Sequence, residues 1–159
     1  MSEPATVAMV EYADASPEVR EVFDDIMATK GIGFVPNAWK VFASHPPTLK
    51  RLWYGLKEVM APGALDPKFK EMIAVAVSAT NGCDYCTRSH TAAARKLGMT
   101  DAEYGELLAV VGMFNQTNAL AEAYKIPVDE VFMRPFEAGP SPAPQDDGGS
   151  RRAIPTLSP

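Results

Sequence analysis

The chain has 159 residues, 47% hydrophobic and 22% charged, which fits one compact domain burying about two-thirds of its unfolded surface. Fifteen Lys and Arg against 20 Asp and Glu leave a net charge of −5, so no basic field invites a phosphate backbone and nucleic acid is not an expected partner. The longest apolar runs, Met72 to Val77 and Leu107 to Phe114, fall far short of the about 20 residues a membrane-spanning helix needs; Met1-Ser2-Glu3-Pro4 has an early acid and no apolar core, so no secretory signal is read and a cytoplasmic location is expected.

Ser16-Pro17-Glu18 sets an N-cap, a first-position proline and an acid in the first turn, and Val19, Val22, Phe23, Ile26 and Met27 follow at helical spacing. Gly31-Ile32-Gly33 ends that helix. Val35-Pro36-Asn37 opens a shorter one carrying Trp39, Val41 and Phe42, and His45-Pro46-Pro47 reads as a break. Leu49, Leu52, Trp53, Leu56, Val59 and Met60 line a third helix that stops near Pro62-Gly63. Asp66-Pro67 starts a fourth, through Phe69, Met72, Ile73, Ala76 and Val77 to Asn81-Gly82. It is apolar nearly all round, which places it in the centre of the fold or in a subunit interface and makes the carboxylate of Glu71 conspicuous.

A fifth helix is predicted from about Cys83 to Leu97, with Gly98 as its stop. Thr100-Asp101-Ala102-Glu103 is a capping box launching Tyr104, Leu107, Leu108 and Val111. Gly112 and Asn115-Gln116-Thr117-Asn118 suggest a kink or break before Leu120 to Tyr124. No period-2 alternation is found, so the expectation is an all-α domain over residues 1–138, with six to eight helices and a central antiparallel helix hairpin. Residues 139–159 turn Pro- and Gly-rich, with no aromatic after Phe136; the expectation is an extended arm draped over a neighbouring subunit.

The two cysteines fall within four positions, Cys83-Asp84-Tyr85-Cys86, too few for a disulfide framework and placed as a local device. Redox chemistry, half of a metal site and a buried pair of small residues all stay open. Cys83, Cys86 and His90 stand at i, i+3 and i+7 on one helix face. The helix N-terminus favours thiolate over thiol, most of all at Cys83. Glu71 on the preceding helix can reach the same face across the Asn81-Gly82 turn, as an orienter or proton acceptor for His90. Together with Glu71 these residues also count to four zinc-compatible ligands. His45 reads as a loop or cap residue.

Glu71, the run Cys83-Asp84-Tyr85-Cys86-Thr87-Arg88-Ser89-His90, and Lys96-Leu97-Gly98-Met99-Thr100 resemble the alkyl hydroperoxidase D-like branch of the carboxymuconolactone decarboxylase family. The resemblance runs from about Phe34 to Val128 and takes in Val35-Pro36-Asn37 and His45-Pro46-Pro47. It implies an all-helical antioxidant peroxidase that reduces hydroperoxides with its CxxC pair, assembles into homo-oligomers (trimers or hexamers), and needs no cofactor or metal. By matching position, Cys86 would be oxidised to sulfenic acid, Cys83 would resolve it and meet an external dithiol or protein reductant, and Glu71 with His90 would relay protons. The chain departs from lipoamide-linked peroxidases of this type at Tyr85, where they carry a His. A non-catalytic redox sensor, a zinc site and a lactone decarboxylase are the alternatives.

Overall fold

A computed structural model describes residues 5–133 and contains six α-helices and two short 3-10 turns, with no strand among the described residues. The expected arm, residues 139–159, lies outside them. The helices are α1 (Pro17–Lys30), α2 (Asn37–Phe42), α3 (Pro46–Met60), α4 (Pro67–Thr80), α5 (Asp84–Lys96) and α6 (Asp101–Tyr124), with 3-10 turns at Tyr12–Asp14 and Glu130–Met133. The chain packs as two units, Met1–Thr117 and Asn118–Pro159. The first holds α1 to α5 and every candidate residue.

Local chemistry sets the ends of these elements. The Asp66 side chain accepts the Lys68 N–H at 2.9 Å, closing the start of α4. Thr100 and Glu103 form the reciprocal capping box: Thr100 N–H donates to the Glu103 carboxylate at 2.7 Å and Glu103 N–H donates to Thr100 Oγ1 at 3.1 Å. Two readings need correction. Pro46 and Pro47 are not the break between α2 and α3 but the first turn of α3, where their fixed φ and missing N–H cost nothing; the break is Ala43 to His45. The expected break in α6 is absent, the helix running on through Asn115 to Asn118, because these residues are all solvent-exposed and one helical Gly112 costs only about 1 kcal/mol.

The buried core is built by α1, α2 and α3. Val22, Phe23 and Ile26 of α1 and Leu49 of α3 are fully buried, and Trp53 almost so. Trp39 of α2 meets Trp53 edge to face with ring centroids 5.2 Å apart. The indole Trp53 N–H donates to the Asp25 carboxylate at 2.7 Å, and Lys57 donates to the same group at 2.7 Å. Lys57, then Trp53, hold the Asp25 carboxyl below the usual carboxylate range. Each large side chain closed off here contributes about 1.5–3 kcal/mol.

The α4–α5 pair is made differently. These two helices pack chiefly on each other, yet α4 buries only Val75 and Ser78, and α5 only Ala94. Phe69, Ile73 and Val77 of α4 form an exposed stripe at i, i+4 and i+8. The sequence offered α4 two settings, the centre of the fold or a subunit interface, and its exposed stripe rules out the first. The first turn of α6 is tied back by Lys68 to Glu103 at 2.8 Å and by Arg95 to Asp101 at 2.6 Å; α6 itself has no buried residue.

Candidate active site

The turn between α4 and α5 is made by a glycine that no other residue replaces cheaply. Gly82 has φ +70°, its N–H donates to the Ala79 carbonyl at 3.2 Å, and the Cys83 N–H donates to the Ser78 carbonyl at 2.9 Å. These two bonds are the Schellman closure of α4. Cys83 serves two helices at once: it supplies the last bond of α4 and is the N-cap of α5, its sulfur accepting the Cys86 N–H at 3.2 Å. The reversal is therefore tight, and α5 runs back along α4.

That register decides which side chains meet. It sets Ser78 beside Cys83 at the turn and Glu71 beside His90 two turns further along. His90 Nδ1 lies 2.7 Å from Glu71 Oε2, with the two side chains only 24% and 16% exposed. The carboxylate at Nδ1 holds the proton on that nitrogen and leaves Nε2 as the acceptor. Cys86 sits on α5 one turn before His90, and Cys83 and Cys86 are joined in a disulfide. All four predicted residues, Glu71, Cys83, Cys86 and His90, thus fall on the facing sides of one hairpin. The one adjustment is that Cys83 caps α5 and is not within it.

Tyr85 lies inside the motif and reaches elsewhere. Its hydroxyl accepts the Ala38 N–H at 3.3 Å, in the first turn of α2, where the Pro36 cap has no side-chain oxygen to offer. The hydroxyl closes one of the open donors of that helix and links the CxxC turn to the α1–α3 region. His45 is the N-cap residue of α3, its Nδ1 2.9 Å from Thr48 Oγ1, and takes no part in the site. A groove of about 390 Å³ lined by Tyr12, Met27, Phe34 and Val35, with the Lys40–Glu11 pair at its side, contains none of the four residues.

Two hydroxyls in the hairpin escaped the sequence reading. Ser78 is 9% exposed and follows Glu71 at i+7 and Val75 at i+3 on the stripe of α4 that meets α5. The Thr91 Oγ1 is buried without a hydrogen-bond partner, next to His90. A small polar residue seven positions from Glu71 in an apolar helix was the available signal for the first. Among the described residues no group of three or more His, Cys, Asp or Glu is arranged to hold a metal ion, and in the disulfide the two sulfurs bond each other.

Comparison with known proteins agrees with this geometry. The model of the carboxymuconolactone decarboxylase family matches residues 46–129, from the start of α3 past the end of α6. A crystal structure of the alkylhydroperoxidase AhpD core from Rhodospirillum rubrum ATCC 11170 is 53% identical, with a TM-score of 0.79 over 82% of this chain and 98% of that one. A crystal structure from Methanobacterium thermoautotrophicum is 29% identical, with a TM-score of 0.51 over 54% of this chain and 97% of that one. The uncharacterized protein 4 in the cox locus of Paracoccus denitrificans is 38% identical over 69 residues, 43% of this chain; the match spans 62% of that protein's length. The all-helical fold, the cysteine pair at the head of α5 and the family match agree: the chain belongs to the carboxymuconolactone decarboxylase family and has its AhpD-like fold.

Proposed function

We propose that this protein is a thiol-dependent peroxidase that reduces hydroperoxides through Cys86 and Cys83. The observation that carries the reading is the Glu71–His90 pair at 2.7 Å, placed one helical turn from a cysteine whose partner is within bonding reach. Similarity to the AhpD core structure supports it, and the disulfide favours thiol chemistry over the lactone decarboxylation that names the family.

In the reduced protein, His90 Nε2 takes the Cys86 thiol proton while Glu71 stabilises the imidazolium through Nδ1–H. The Cys86 thiolate attacks the terminal oxygen of the hydroperoxide, the O–O bond breaks, and the departing alkoxide takes a proton from His90 to leave as alcohol. Cys86 is then a sulfenic acid, oxidised by two electrons. The Cys83 thiol gives up its proton, the resulting thiolate attacks the sulfenic sulfur, the S–O bond breaks, and the departing hydroxide takes up one proton in its place and leaves as water. The product is the Cys83–Cys86 disulfide seen here. An external dithiol, small or protein-borne, supplies the two electrons that restore both thiols, Cys83 being the sulfur it meets. We place this cycle in the cytoplasm, where such reductants are maintained; no helix among the described residues is long and apolar enough to cross a membrane.

The same reading assigns the uncovered stripe of Phe69, Ile73 and Val77 to contacts between copies of the chain in a homo-oligomer, trimer or hexamer. No role for nucleic acid is proposed. The test is steady-state oxidation of a dithiol driven by an organic hydroperoxide. Cys86→Ser should abolish it and His90→Gln should slow it by about a hundredfold or more. Unchanged rates in both variants would overturn the reading.

A further inference from the structure

From the α4–α5 register we infer that Ser78 is a positioning residue for Cys83, its hydroxyl donating to the Cys83 sulfur when that sulfur is a thiolate. The inference rests on the peroxidase reading for its purpose, but its physical content is independent of peroxide. Glu71, Val75 and Ser78 stand at i, i+4 and i+7, one stripe of α4. The first reaches His90 of α5 at 2.7 Å, the second is fully buried, and the third is 9% exposed. The stripe therefore faces α5 along its length. At its far end the Cys83 N–H bonds the Ser78 carbonyl at 2.9 Å, which brings the backbone of Cys83 against that of Ser78.

The two thiols are thus served by separate devices. Cys86 has His90 and Glu71 one turn away. Cys83 has the Cys86 N–H at 3.2 Å and the open end of α5, which favour a negative sulfur. Ser78 lies at the Cys83 end, whereas the buried Thr91 hydroxyl lies at the His90 end. In the disulfide the sulfur is a weak acceptor and asks nothing of Ser78. Once reduced, a Cys83 thiolate is a strong acceptor one backbone hydrogen bond from Ser78, and a hydrogen bond to the charged form lowers the thiol's pKa. In the cycle this raises the share of thiolate ready to attack the Cys86 sulfenic acid. That step forms the S–S bond, breaks the S–O bond and releases hydroxide, which leaves as water by taking up one proton in place of the one the Cys83 thiol gave up.

The experiment uses the Cys86→Ser chain, in which Cys83 is the single cysteine. Its rate of alkylation by iodoacetamide is measured across pH, with Ser78 intact and with Ser78→Ala or Ser78→Thr added. Alanine is smaller than serine and a better helix former, so the hairpin is retained, which far-UV circular dichroism confirms. The alanine change should move the apparent thiol pKa upward by about one unit, and threonine, which keeps the hydroxyl, should return it. Superimposable titrations for Ser78 and Ala would overturn the inference, and so would a shift that Thr leaves in place. Because no hydroperoxide is used, this result stands or falls apart from the peroxidase assay.

Discussion

The α1–α3 region and the α4–α5 hairpin place their apolar and polar groups in opposite ways. In the first, Phe23, Ile26, Leu49 and Trp53 point inward and are shut off from water, and the polar contacts lie at the edge, as with Asp25 and Lys57. In the second, the seam between helices holds Glu71, His90, Ser78 and the cysteine pair, and Phe69, Ile73 and Val77 are left outside. A helix whose inner face carries polar groups has only its outer face left for hydrophobic burial. Such a hairpin borrows stability from whatever covers that outer face, whereas the three-helix core supplies its own. Tyr85 and Lys70 tie the two regions, through the Ala38 N–H at 3.3 Å and the Val59 carbonyl at 2.8 Å.

This contrast can be broken by mutation. The largest stability effect is expected in the closed core: Phe23→Ala should cost about 3–5 kcal/mol in chemical denaturation, against about 1–2 kcal/mol for Val75→Ala in the hairpin. Equal losses would mean that the two regions are stabilised alike. A smaller effect on the single chain, but a visible one on assembly, is expected from Ile73→Asp. It adds a charge to the exposed stripe, so light scattering should report a smaller particle while the helical content holds. An unchanged particle would remove this stripe from the subunit contact.

The smallest effect belongs to the tie between α4 and α6. Lys68, followed by the Thr100 backbone and hydroxyl, pulls the Glu103 carboxyl down from 4.5 to about 2. A folded-state value below the unfolded one means stability that is present above 4.5 and lost as pH falls toward about 2. Melting temperatures of the native chain and of Glu103→Gln should therefore converge across that window. Parallel curves would show that the contact contributes nothing.

Much of this was legible before any coordinates, for reasons that are local. Asp66-Pro67, the Thr100–Glu103 box and the glycines after α1, α4 and α5 act within one or two turns, so spacing alone locates the helix ends. The Glu71–His90 meeting was also readable, because one short turn fixes the register of a hairpin. What escaped depends on distance along the chain. Nothing near Trp53 announces Asp25, 28 residues away, and nothing near Tyr85 announces Ala38, 47 away. The apolar pattern of α4 calls for cover, but periodicity cannot say whether a neighbouring helix or another molecule would provide it. In α6, polar residues suggested a break that an exposed helix tolerates.

The central claim is that Cys86 reduces a hydroperoxide and Cys83 captures the oxidised sulfur. The direct measurement adds one equivalent of an organic hydroperoxide to the fully reduced protein, free of other thiols, and follows alcohol and protein disulfide together by mass spectrometry. The account predicts one alcohol for each Cys83–Cys86 disulfide formed, and in Cys83→Ser a sulfenic acid held at Cys86. Hydroperoxide that persists beside two free thiols would contradict it.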